Sequence, residues 1–156
     1  MAQSAHWWEF VASTVFQGPS ALTLDSKGRL AMPARHREVL SAMGVKQLTV
    51  TKHPVGSLMI FPRPAWDAFR ERIAALPMDA SGWKRVFLGN AMDVEIDASS
   101  RLLISPELRA SAGLTREVML IGMGSHFELW DAKAHAEHEA QVMQSSLPES
   151  LKSFSF

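Results

Sequence analysis

Asp25 and Arg29 stand four residues apart with Lys27 between them, and the same carboxylate-to-guanidinium spacing returns at Asp97 and Arg101. A carboxylate at this spacing can accept backbone N–H bonds within a tight turn and brace the arginine that follows it. An arginine so braced presents its planar donors in fixed geometry, which suits a phosphate or the O6/N7 edge of guanine. For Asp25 alone, a purely structural role in the turn is the simpler reading. Lys27 and Arg29 together exceed what a turn requires, and they are the first candidates for contact with a polyanion. Other chemistry finds no parts: there is no Ser-His-Asp pattern, no phosphate-cradling glycine loop and no His-Glu-x-x-His, so the chain reads as a non-enzyme without a cofactor. His135 and His138, three apart near Glu139, lack a further ligand supplied by any motif and are read as a solvated helix face rather than a metal site.

The two Asp-x-x-x-Arg stretches belong to a longer internal repeat. Asp25, Arg29, Leu30 and Arg37 fall on Asp97, Arg101, Leu102 and Arg109 at one offset of 72 positions (97 − 25), and Leu58-Met59-Ile60-Phe61 falls on Phe127-Glu128-Leu129-Trp130 at an offset of 69 (127 − 58). Within the first copy, Ala21 to Leu24 and Arg29 to Met32 alternate apolar and polar residues around the turn formers Asp25-Ser26-Lys27-Gly28, which predicts a β-hairpin. Pro33 then opens a helix over 34–43 that Gly44 closes, and two strands follow at Gln47 to Thr51 and Leu58 to Phe61. Each repeat is therefore expected to run β-β-α-β-β.

Between the copies, Trp66, Phe69, Ile73 and Leu76 recur at helical spacing, and a second helix is expected over 79–90 with Trp83, Val86 and Phe87 turned inward. Asp131 should cap a last helix reaching about Ser145. Phe61, Trp66, Phe87 and Trp130 are expected in the core. The division expected is an extension or tag over 1–14, a first repeat over 19–66, a helical connector over 67–90, a second repeat over 91–134, and a C-terminal helix and tail over 135–156.

With 156 residues, 47% of them hydrophobic and 21% charged, the chain is globular in composition. Cysteine is absent, which excludes disulfides and thiolate metal sites, and no apolar stretch is long enough to span a bilayer; a cytoplasmic protein without a membrane partner is expected. Net charge is zero over the whole chain but unevenly spread. From Phe16 to Trp66 seven basic residues face two acids, a net of +5, whereas from Phe87 to Asp131 three face seven, a net of −4. A basic half suits a polyanion, and halves of opposite sign favour head-to-tail association. Lys27, Arg29, Arg35, Arg37 and Arg101 are the residues expected to touch such a polyanion, with Asp25, Gly28 and Asp97 orienting the turns.

The chain resembles the MraZ family of bacterial transcriptional regulators. The resemblance rests on Phe16-Gln17-Gly18, on Leu24-Asp25-Ser26-Lys27-Gly28-Arg29-Leu30, on Pro33-Ala34-Arg35-His36-Arg37, on Leu88-Gly89, on Ile96-Asp97 with Arg101-Leu102-Leu103-Ile104, and on Phe127-Glu128-Leu129-Trp130-Asp131. It implies an α+β, β-rich fold of two tandem AbrB-like swapped-hairpin β-barrel repeats with short helices and a C-terminal helix. It also implies a ring-like homo-oligomer that binds short direct repeats in double-stranded DNA upstream of the cell-division and cell-wall gene cluster, usually as a repressor. The second turn, Ala98-Ser99-Ser100, departs from the first in lacking its lysine and glycine. The rival reading from another class is an oligomeric scaffold whose turns bind a protein partner.

Overall fold

The computed structural model describes residues 15–156, so the expected extension over 1–14 lies outside the described residues. Among the described residues eight strands and six helices follow in the order β1 (Phe16–Thr23), β2 (Arg29–Ala31), α1 (Ala34–Ala42), β3 (Gln47–Lys52), β4 (Leu58–Pro62), α2 (Arg63–Ala74), α3 (Ser81–Gly89), β5 (Met92–Glu95), β6 (Arg101–Leu103), α4 (Pro106–Ser111), β7 (Glu117–Gly124), β8 (Phe127–Asp131), α5 (Ala132–Gln144) and α6 (Glu149–Lys152), with a 3₁₀ turn at Met78–Ala80. The fold is α+β and β-rich, and each repeat carries the expected β-β-α-β-β order.

The strand partners differ from a simple hairpin. Six strands form one antiparallel sheet in the order β1-β7-β8-β4-β3-β5, and β2 pairs with β6 in a separate ribbon. The turn between β1 and β2 closes as expected, with Gly28 N–H donating to Asp25 O and Asp25 N–H to Arg29 O, but its two arms then pair with strands of the other repeat. Among the described residues no barrel closes, because β1 and β5 end the sheet. Exchanging each strand for its counterpart in the other repeat reverses the sheet order onto itself, so the chain has an internal two-fold between β4 and β8. The same axis passes the β2–β6 ribbon, where Leu30 faces Leu102, Gly28 O accepts from Ile104 N–H and Ser100 O accepts from Met32 N–H.

Burial explains why β4 and β8 show no alternation. On one face Leu58, Ile60, Phe127 and Leu129 join Leu30, Leu102, Leu48 and Leu120 in the main core; on the other, Met59 and Phe61 are covered by Trp66 and Phe69 of α2 and by Phe87 and Leu88 of α3. Leu30 and Leu102 are fully buried where the repeats meet. Truncating either to alanine is expected to cost about 2–5 kcal/mol, as for other buried leucines.

Caps follow the sequence signals. Ser105 Oγ accepts from Leu108 N–H at the start of α4, and Asp131 Oδ2 accepts from Ala134 N–H at the start of α5. Two expectations need correction. Trp83 is half exposed, because it stacks at 5.7 Å on the outer side of Phe87 instead of reaching the sheet. His135 and His138 do not form a solvated face: their rings lie 5.7 and 4.9 Å from that of Trp130, on the side where α5 packs against the end of β8.

Candidate nucleic-acid interface

The β2–β6 ribbon brings the two Asp-x-x-x-Arg turns side by side. In the first, Asp25 Oδ1 accepts from the backbone N–H groups of Lys27 (3.0 Å) and Arg29 (2.8 Å), while Oδ2 accepts from Arg29 Nε at 2.6 Å. The second repeats the pattern: Asp97 Oδ1 accepts from Ser99 and Arg101 N–H at 2.8 and 2.9 Å, and Oδ2 from Arg101 Nε at 3.2 Å. In both turns one carboxylate shapes the backbone and aims the guanidinium, a charge-assisted arrangement stronger than its neutral counterpart.

Asp25 is held down at about 2, chiefly by the Arg29 backbone N–H, with burial opposing and the Arg29 guanidinium and Lys27 N–H adding. Asp97 is lowered too, first by the Arg101 backbone N–H. Both carboxylates are therefore ionised at neutral pH, and the brace persists. Each uses the arginine's Nε, and Arg101 Nη1 also lies 4.0 Å from Asp25 Oδ2, linking the two turns.

The remaining expected residues divide. Lys27 is exposed at the first turn, where Gly28 adopts a φ of 83° that favours glycine. Arg37 reaches the second turn, its Nη1 donating to Ser100 Oγ at 3.3 Å. Arg35 is not brought to the turns: its Nη2 donates to Pro19 O and Ser20 Oγ, both at 2.9 Å, and it holds α1 against β1. Sequence reading missed Arg109, whose guanidinium lies on Gly28 and whose Nε donates to Ile104 O at 3.0 Å. The signal was present in the 72-residue offset that pairs Arg109 with Arg37. Among the described residues no group of three or more His, Asp or Glu side chains is placed to hold a metal ion.

Comparison with known proteins decides the family. The family model described as "MraZ protein, putative antitoxin-like" matches residues 15–83 and 87–153, one match for each repeat with its following helices. The chain belongs to the MraZ family. A relative from Methylibium petroleiphilum is 68% identical over 146 residues, covering 94% of this chain and all of the relative, and one from Leptothrix cholodnii is 64% identical over 141 residues, covering 90% and 97%. A third, from Verminephrobacter eiseniae, is 61% identical over 142 residues, 91% of this chain and all of the relative. All three carry the name Transcriptional regulator MraZ. The break between the two MraZ matches falls inside α3, so each match carries a β-β-α-β-β unit even though the strands of the two units interleave.

Proposed function

We propose that this chain is a DNA-binding transcriptional regulator whose paired turns meet the duplex, with Lys27 and Arg29 of the first turn as the main contacts and Arg37 and Arg101 beside them. The observation that supports this most is the pair of Asp-braced arginines held side by side on one ribbon, 4.0 Å from guanidinium to neighbouring carboxylate. A fixed guanidinium carries the donor geometry that guanine and phosphate need, and the basic first half supplies the field. The names of the relatives agree with this reading. The resemblance extends it to repression of the cell-division and cell-wall gene cluster from short direct repeats in its upstream DNA.

Two turns offer few contacts. A good base contact supplies roughly 1–3 kcal/mol of discrimination, whereas preference for a specific site usually takes about 4–10. Several copies acting on neighbouring repeats meet that requirement, because later contacts become intramolecular. The basic and acidic halves favour head-to-tail association, which closes into a ring where the rotation permits. The regulator is therefore a homo-oligomer larger than a dimer. Footprinting of the purified protein on the DNA upstream of its own gene, over a salt series, tests the DNA reading: protected repeats with affinity falling steeply in salt are expected. Absence of protection at low salt would instead favour the scaffold reading. Light scattering that shows a monomer bound tightly to a single repeat would overturn the oligomeric part.

A further inference from the structure

Arg37 and Arg109 occupy equivalent positions in the two repeats, and each crosses to the turn of the other one. Arg37 of the first repeat meets Ser100; Arg109 of the second meets Gly28. Gly28 and Ser100 are themselves equivalent, and both have a left-handed backbone, with φ of 83° and 61°. One Cβ separates the two corners. A Cβ at Gly28 would lie 2.5 Å from Arg109 Cζ and Nε and 2.8 Å from Nη1, so the guanidinium occupies the space a side chain would need. Arg109 Nε donates to Ile104 O, and Ile104 N–H donates to Gly28 O at 3.0 Å, which closes a circuit from the arginine back to the turn beneath it. At the other corner the Ser100 side chain stands in that space. Arg37 is exposed and its Nη1 donates to the Ser100 hydroxyl, beside an open groove of about 920 Å³ that Arg37, Lys46, Ile96 and Ser100 help to line.

We propose that Arg109 is the positioning residue of the first turn: a side chain of the acidic second repeat fixes the corner from which Lys27 and Arg29 are presented. The inference rests on the reading of that turn as the DNA contact. It assigns the two arginines different work. Arg109 is half buried against backbone and acts through Gly28, whereas Arg37 remains available at the surface. A turn held in its binding geometry before contact avoids the ordering cost of association, so loss of Arg109 should weaken selective binding more than general attraction to DNA.

The test uses the full chain with Arg109→Ala and Arg109→Lys, the latter keeping charge and stem but losing the planar group and its Nε–H. The probes are the duplex from its own upstream DNA and a scrambled duplex of the same length and composition. Both variants are expected to lose about ten- to a hundredfold in affinity for the upstream duplex, the span of one base contact, with scrambled-duplex affinity and salt slope unchanged. Amide exchange at Ile104 should quicken about tenfold in both, while Leu120 in the core stays at its wild-type rate. Rescue by lysine, or a salt slope reduced by about one on both duplexes, would overturn the proposal in favour of a direct phosphate contact. Unchanged Ile104 exchange would also overturn it. If the wild-type chain prefers neither duplex, the DNA reading falls, and the exchange measurement alone decides whether Arg109 holds the turn.

Discussion

Arg101 Nη1 lies 4.0 Å from Asp25 Oδ2, so the carboxylate that shapes the first turn faces guanidinium groups from both repeats. The two turns form one charged unit astride the internal two-fold. Asp25 is its centre.

Asp25 should titrate far below an ordinary aspartate. Its folded value is about 2 against 3.8 for the free side chain, so its stabilising contribution is complete above the unfolded value and disappears as pH falls through about 2. Carbon-detected NMR of the Asp25 carboxyl should show that midpoint, with the Arg29 Nε–H signal still protected at about pH 4. A midpoint near 3.8 would mean that the brace is absent in solution.

Arg29→Ala is expected to cost more DNA affinity than Arg101→Ala, with about 1–3 kcal/mol of sequence discrimination lost at Arg29. The first repeat is basic, and Lys27 stands beside Arg29, whereas Arg101 sits in the acidic repeat with one terminal nitrogen turned toward Asp25. Lys27→Ala should weaken binding to all duplexes alike and reduce the salt slope by about one. Fluorescence anisotropy on upstream and scrambled duplexes reads both effects. Equal losses for Arg29 and Arg101 would show that the two turns contact DNA equivalently.

Gly28→Ala should destabilise the chain more than Gly56→Ala. Both glycines have positive φ, 83° and 98°, but a Cβ at Gly56 meets nothing within 4 Å, whereas one at Gly28 meets the Arg109 guanidinium. Backbone strain costs about 1–2 kcal/mol at either site, and at Gly28 the new Cβ must also displace the flexible Arg109 guanidinium, which adds about 0.5–1.5 for the lost hydrogen bond to Ile104 O. Urea unfolding of the two variants measures the difference, and equal destabilisation would place Arg109 elsewhere in solution.

His36 should make the fold sensitive to mild acid. It is buried between Phe16 and Phe127, with ring centroids 5.8 and 4.9 Å away, and its pKa is lowered from 6.5, first by burial and then by the Arg35 charge. The unfolded chain then takes up a proton that the folded chain resists, so stability declines as pH drops below about 6.5 and levels off below the folded value. His36→Leu should flatten the melting temperature between about pH 7 and pH 5. A residual slope is expected from His126, whose pKa is lowered by burial as well. An unchanged slope would assign the whole effect to other groups.

Much of the architecture was legible because the chain repeats itself. Asp25 and Asp97 in matched surroundings forecast both turns, and Pro33, Gly44 and Asp131 marked helix ends that the structure places close to expectation. Partner choice was legible only through the resemblance, whose swapped hairpins imply exchange between the repeats. The alternation of β1 says which side chains face inward, but nothing local says that they align against β7 and not β2, since either pairing satisfies the same backbone groups. Site residues divided for a related reason. Arg35 and Arg37 look alike in a basic helix, and only the placement of Pro19 and Ser20 on one side and Ser100 on the other gives them different partners. Arg109 escaped notice because its contact is with a residue that has no side chain.

The crossing of β1 onto β7 and of β2 onto β6 also sets a schedule for biosynthesis. When a nascent chain has left the ribosome only as far as β4, Leu30 has no Leu102 opposite it and Gly28 has no Arg109 above it. Those contacts span more than seventy residues, so loop closure precedes their reward and they form late. Prematurely terminated products that end before β6 therefore carry the Lys27 and Arg29 sequence without its ribbon, and on the reading that this turn meets DNA they are expected to compete poorly with the finished protein.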